Sequence, residues 1–384
     1  MIKNDTAEGV FLNLVRSIIN NEKPSSLPDG INADDIFEIG SRQDMAPITF
    51  CALNTLTPKP ASEKWGEHQK RFFDDCMRSE VQISEYKKLV EYLCENGVKV
   101  LLLKGCVLKE LYPVPNLRVM SDVDLLYEGV TPQELAELME KAGYSTENLE
   151  AGCHDVFHKK PCMNIEPHRK LVADDSPYRS VLQDMFAKAV PDKKLPNLYH
   201  MKPEDLYIHV IVHAAKHFEG SGLGIRPMGD IYVLNQTYKD SFDWKYINES
   251  LASVGLTKFE EKLKTLAYAF FGEEEIKVSD EDMEVFFQGS TYGNYGTVGR
   301  DYMKNGGTNR IAFFFHRTFY PYSGMCEMFP ILKKCPVLLP FAWIYRIIDV
   351  LLHRRSNFVK VATADVSKDN SEKIIKTMKS FGLD

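Results

Sequence analysis

Apolar residues recur at helical spacing in the first part of the chain, with Val10, Phe11, Leu14, Val15, Ile18 and Ile19 forming one stripe. A Pro/Ser-rich break at 23–28 ends it, and a second helical stretch runs from 33 to 56. After Pro58 and Pro60 a long amphipathic segment covers 62–96, with Asn96-Gly97 as its expected stop. The texture then changes. The run Val98 to Leu103 is short, apolar and β-branched, which predicts a buried strand. A short helix is expected over 106–112 and a second strand over 123–127. Thr131-Pro132 opens a helix that Gly143 closes. Further strands are expected at 144–148, 155–159 and 163–168. Helical periodicity returns at 204–218, 228–238, 244–254, 258–271 and 344–353. This alternation predicts an α+β fold in three parts: an N-terminal helical region 1–97, a small mixed β-sheet core 98–175, and a C-terminal helical region 176–384.

Composition narrows the function classes. The chain has 384 residues, 44% of them hydrophobic, enough to bury a real core and to exclude a disordered tail. Lys plus Arg is 47 against 54 for Asp plus Glu, a formal charge of −7, so nothing signals a protein that coats nucleic acid. The eight cysteines contain no CxxC pair and read as reduced thiols. The first residues lack the apolar run of a secretory signal, and no stretch approaches the ~20 apolar residues of a membrane span. A cytoplasmic location is the expectation.

The candidate chemistry lies between Leu101 and Tyr127. Asp122 and Asp124 lead into the second strand, and strand alternation projects both to one side while Val123 turns the other way. Two adjacent carboxylates repel unless a cation lies between them, and hard ions such as Mg²⁺ prefer oxygen ligands. Lys104-Gly105 follows the first strand and opens a helix, where backbone can approach a phosphate. Arg118 precedes Asp122 by four residues. Glu166 shares a strand face with Asn164 and His168, so a third carboxylate on a neighbouring strand would complete a two-metal clamp. The plainer alternative pairs these acids with Arg118 and Lys104 at a strand end.

Other patterns carry less. His209, His213 and His217 share one helix face without an HExxH motif, and packing or a hydrogen bond toward a site is favoured over metal binding. Cys153, His154, His158 and Cys162 suggest zinc, yet alternation puts Cys153 and His154 on opposite faces. Gly220, Gly222 and Gly224 lack the preceding strand of a dinucleotide site. The Tyr/Gly-rich stretch 289–307 reads as an exposed loop or a lid. The 344–353 helix has an apolar face, expected to dock on the protein's own helices rather than on a membrane, and a basic end at His353-Arg354-Arg355.

Strand, Lys-Gly, helix, then R-x-x-x-D-x-D, then a strand with E-x-H, resembles the nucleotidyltransferase superfamily related to DNA polymerase β. In particular it is similar to its branch of uncharacterised nucleotidyltransferases, NTP-transferase family 5. The later patterns His213, His217, Arg226, Asp230, Asp243-Trp244 and Phe329-Pro330, Leu339-Pro340, Trp343, Arg346 are similar to that branch too. Lys104-Gly105-Cys106 departs from the superfamily's usual Gly-Ser or Gly-Gly pair. The resemblance implies a nucleotidyltransferase core at 98–175 that moves an NMP from an NTP to an acceptor hydroxyl, releasing pyrophosphate. It implies Asp122 and Asp124 as ligands of both metals, Mg²⁺ or Mn²⁺, and Glu166 as a ligand of the catalytic one. Lys104, Gly105, Arg118 and Ser121 would bind the nucleotide. His168, His213, His217, Arg226 and Asp230 are the candidates for supporting the site or lining an acceptor pocket. Arg226 and Asp230, four apart, suit a structural ion pair at a helix end first and a cleft lining second, and His168 reads equally as a group orienting Glu166 or as a surface histidine. The acceptor, whether small molecule, RNA or protein, stays open. So do a non-catalytic binding role on the same fold and a toxin-like activity on tRNA or protein.

Overall fold

A computed structural model describes residues 5–150, 152–287, 291, 302–303, 307–329, 331–353 and 368–383. Most of the 289–307 stretch, read above as a loop or lid, and Arg354-Arg355 lie outside the described residues.

The fold is α+β, a mixed seven-stranded sheet flanked by helical regions. The N-terminal region holds α1 (Ala7–Ile19), α2 (Ala33–Arg42), α3 (Ala46–Thr55) and α4 (Trp65–Glu95). Thr6 caps α1 and Asn32 caps α2 through side-chain oxygens. The expected helical stretch over 33–56 is realised as two helices, with a break between α2 and α3. Asp44 there adopts φ +51°, and Pro47 suits only the first turn of a new helix. Gln43, at the end of α2, is buried and ties the helical regions together. Its Nε2 donates to Phe286 O and its Oε1 accepts from Ile225 N.

The strands are β1 (Lys99–Leu102), β2 (Val123–Glu128), β3 (Ser145–Asn148), β4 (Val156–Lys159), β5 (Met163–His168), β6 (Val190–Pro191) and β7 (Leu198–His200). Their order is β3-β4-β5-β2-β1-β7-β6. β2 runs antiparallel to β1 and parallel to β5. Between β1 and β2 lies α5 (Lys104–Lys109), and α6 (Pro132–Lys141) follows β2 behind a capping box of Thr131 and Glu134. β6 and β7 lie beyond residue 175, too short to leave a periodic signal in the sequence.

β1 and β2 are covered on both faces, which is why Val100 to Leu103 reads as a continuous apolar run. Val100, Val123, Leu125 and Tyr127 pack with Leu89 and Leu93 of α4 and Leu135 and Met139 of α6. Leu101, Leu103 and Leu126 join a larger core built from the helices on either side of the sheet in sequence. That core includes α9 (Pro203–Gly220), α10 (Arg226–Tyr238), α11 (Trp244–Ser253) and α12 (Thr257–Phe271), α7 and α8 being the short turns Arg179–Leu182 and Met185–Lys188.

Beyond α12 the described helices include Leu339–His353, whose Ile344 and Ile348 are 55% and 50% exposed. The helix packs on the protein's own helical segments through Trp343 and Arg346, which donate to Tyr320 O at 3.0 Å and Thr318 O at 3.1 Å, while Ile344 and Ile348 of the expected face stay exposed. No helix among them is long and apolar enough to cross a membrane.

Candidate active site

The sheet face that carries Leu126 deeper in β2 carries Asp122 and Asp124 at the start of that strand, because side chains two apart share a face. β5 lies beside β2 in parallel register, with Asp124 opposite Glu166. Met163, Ile165 and Pro167 of β5 are buried, so Glu166 and His168 turn toward the carboxylates. One oxygen from each of Asp122, Asp124 and Glu166 lies within 4.8 Å of the others. The end of β1 is fixed against the same strand by Leu103 N donating to Asp124 O at 3.2 Å. The next residue, Lys104, thereby reaches Asp124, its Nζ 2.7 Å from Oδ2. His168 Nε2 lies 3.1 Å from Asp124 Oδ1.

These neighbours set the charges apart. Burial alone would raise the Asp124 carboxyl, but the Lys104 ammonium and the contact with His168 outweigh it and hold Asp124 below the usual carboxylate range. Asp122 has no such direct contact among the described residues. Burial, then the charge of Asp124, pushes its carboxyl up, against the pull of Lys104 and Arg226. Burial followed by the charges of Asp122 and Asp124 likewise raises Glu166.

A raised carboxyl means that the folded state holds its proton more tightly than the unfolded one. Its ionised form therefore costs stability above the folded-state pKa, and the cost disappears as pH falls through it. In divalent-free buffer at pH 7.5, Asp122→Asn is expected to stabilise the protein by about 0.5–2 kcal/mol. Urea denaturation should show the gap to wild type closing toward pH 4. A destabilised variant at neutral pH would contradict the electrostatic conflict.

The carboxylates open on a cavity of about 1130 Å³, somewhat larger than the usual ligand pocket of roughly 300–1,000 Å³. His209, His213, Lys216 and His217 of α9 also line the cavity, as do Tyr322, Cys326 and Lys333. Burial, then the Lys104 charge, lowers the basicity of all three histidines, His209 to about 3 and His217 to about 4. The stripe is thus neutral imidazole at physiological pH. His213 and His217 meet at Nε2 to Nε2, 3.0 Å apart, so one nitrogen donates and the other accepts.

Other expected site residues lie elsewhere. Arg118 and Asp230 are both buried and form a two-pronged pair, Nε to Oδ1 at 2.6 Å and Nη2 to Oδ2 at 2.7 Å, with Tyr112 Oη donating to the same Oδ1 at 2.9 Å. Neither lines the cavity. Gly105 packs under Met120, whose Sδ would lie 3.2 Å from an added Cβ. Ser121 opens on a separate cavity of about 90 Å³. Arg226 is buried, with Nη1 3.4 Å from Asp44, and its charge still reaches Asp122. Sequence reasoning missed Lys216, which follows His213 by three and so shares its helix face. His154 was grouped with Cys153, His158 and Cys162 as a zinc candidate, whereas its Nε2 lies 3.5 Å from Glu166. His154 lies before β4 and is bridged antiparallel to His168 of β5, which brings it to the carboxylates.

The profile of the uncharacterised nucleotidyltransferase family matches residues 29–272, more than half of the chain. The match runs from just before α2 to the end of α12 and contains every carboxylate and histidine of the cavity named above. The similarity noted at 329–346 lies beyond it. No curated protein and no solved structure matches the chain. The chain belongs to the family of uncharacterised nucleotidyltransferases.

Proposed function

We propose that this family member transfers a nucleoside monophosphate from an NTP to an acceptor hydroxyl, releasing pyrophosphate, in the cavity headed by Asp122, Asp124 and Glu166. The observation that carries the reading is the β2–β5 register. It sets Glu166 opposite Asp124 and brings three carboxylates to one point of a cavity large enough for a nucleotide and part of an acceptor.

The same three residues fit a divalent ion. All are oxygen donors, as Mg²⁺ or Mn²⁺ requires, and the mutual repulsion that raises Asp122 and Glu166 is what a cation relieves. When bound, such an ion supplies charge stabilisation on the attacking and leaving oxygens. The chain's own groups supply the rest. Lys104, held by Asp124 at the cavity wall, places an ammonium where phosphate oxygens would lie. Glu166, on the strand beside the aspartates and facing the cavity, takes the proton of the acceptor hydroxyl. The hydroxyl oxygen forms its bond to the α-phosphorus as the bond to the bridging oxygen breaks, and that oxygen leaves with pyrophosphate. The neutral histidines of α9 can donate or accept hydrogen bonds to an acceptor without adding charge.

The test is incubation with each α-labelled NTP, Mg²⁺ or Mn²⁺, and cell extract, followed by mass spectrometry of labelled products. The expected result is one labelled class of acceptor with an equal amount of pyrophosphate. Nucleotide binding without either product would favour the non-catalytic role.

A further inference from the structure

We propose that His154, Glu166 and His168 form a second cation site, of transition-metal character, that shares Glu166 with the Asp122–Asp124 pair. It deepens the metal part of the reading above and rests on it only through Glu166.

The three side chains are brought together by backbone. His168 follows Glu166 by two residues on β5, so the two share a face. His154 lies on the adjacent segment, bridged antiparallel to His168. Two hydrogen bonds clamp that bridge, Asp155 N to Pro167 O at 3.0 Å and Arg169 N to Cys153 O at 2.9 Å. Asp155 is fully buried. It pairs with Arg169, accepts from Glu150 N at 2.6 Å and lies 3.3 Å from Tyr127 Oη. The segment carrying His154 is thus pinned on both sides.

The result is a preformed donor set. One ligand atom each from His154, Glu166 and His168 lies within 4.8 Å of the others, and the two imidazole rings are 4.9 Å apart. Ligands held about 2.0–2.2 Å from an ion lie roughly 3–4 Å from one another, so closure needs side-chain rotation only. All three residues face the large cavity. His168 has a nitrogen to spare: Nε2 is on Asp124, while Nδ1 is buried with no hydrogen-bond partner among the described residues. An imidazole that contacts a carboxylate through one nitrogen and has no partner on the other matches the usual arrangement of a metal-ligating histidine, the ring turning to bring that nitrogen to the ion.

The donor chemistry distinguishes the two sites. Three carboxylates suit a hard ion, whereas two imidazoles and one carboxylate favour Mn²⁺, Fe²⁺, Co²⁺ or Zn²⁺ over Mg²⁺. Ions in both sites would be bridged by Glu166, and a transition metal would bind in the absence of nucleotide.

The experiment is titration of the metal-stripped full chain with Co²⁺, without nucleotide, read by visible ligand-field absorption and calorimetry. Expected is a saturable band that His154→Ala weakens at least tenfold in affinity and that Asp122→Asn leaves in place. His154→Gln, with a melting curve equal to wild type, guards against a folding artefact. No band, or a band unchanged in both His154 variants, overturns the proposal. Loss of the ion in Asp122→Asn but not in His154→Ala also overturns it and leaves the carboxylate site standing. A band dependent on His154 in a protein that transfers no nucleotide upholds it while the activity reading falls.

Discussion

Asp124→Asn is expected to lower nucleotidyl transfer by at least about 10³-fold. Losing a single preorganised electrostatic contact in a water-poor site typically costs 10²–10³ in turnover, and Asp124 serves three roles at once. It is the innermost of the three carboxylates, 5% exposed. It holds the Lys104 ammonium at 2.7 Å and receives His168 at 3.1 Å. The amide keeps the shape but carries no charge, so Lys104 loses the partner that fixes it and the three-carboxylate set becomes two. The measurement is label transfer per enzyme under saturating NTP, alongside urea denaturation to show that the variant is folded. Transfer within tenfold of wild type in a folded variant would remove Asp124 from the chemistry, and the proposed site with it.

The carboxylates were legible because two short-range rules suffice for them. Alternation sets Asp122 and Asp124 on one face and Glu166 with His168 on another strand's face, and the structure keeps both sets. What alternation does not contain is pairing. That β5 lies parallel to β2, in the register that opposes Asp124 and Glu166, depends on a crossover through α6, β3 and β4. The strands at 99–102 and 123–128 were readable from the apolar runs Val100 to Leu102 and Leu125 to Tyr127, which burial on both faces demands, whereas β6 and β7, with two and three residues, carry no period. The break at Asp44 went unread because a left-handed residue other than glycine has only a weak sequence signature. Arg118 was read by its nearness to Asp122 in sequence, yet its partner lies 112 positions away on α10. Ion pairs across such separations are decided by how helices pack on the sheet. The same limit hid the place of His154 beside Glu166, which is set by a single bridge between chain segments.

The Arg118–Asp230 pair leads to the largest stability effect expected in the protein. Asp230→Ala should destabilise it by about 3–5 kcal/mol, the usual consequence of leaving one member of a buried ion pair uncompensated. The side chains of Arg118 and Asp230 are 6% and 7% exposed. The alanine would leave the guanidinium without the carboxylate that receives two of its N–H groups, and the Tyr112 hydroxyl without its acceptor. The pair joins α10 to the loop between α5 and β2, so the strain falls on the segment that delivers Asp122. Removing both charges should hurt less than removing one. Arg118→Met combined with Asp230→Leu leaves no buried charge and is expected to recover at least half of the loss. Urea denaturation of wild type, both single variants and the double variant gives the coupling directly. If the single losses simply add, the two residues do not act as a pair. If the double variant is stable yet transfers nucleotide slowly, the guanidinium positions the Asp122 loop, a role that hydrophobic packing alone does not replace.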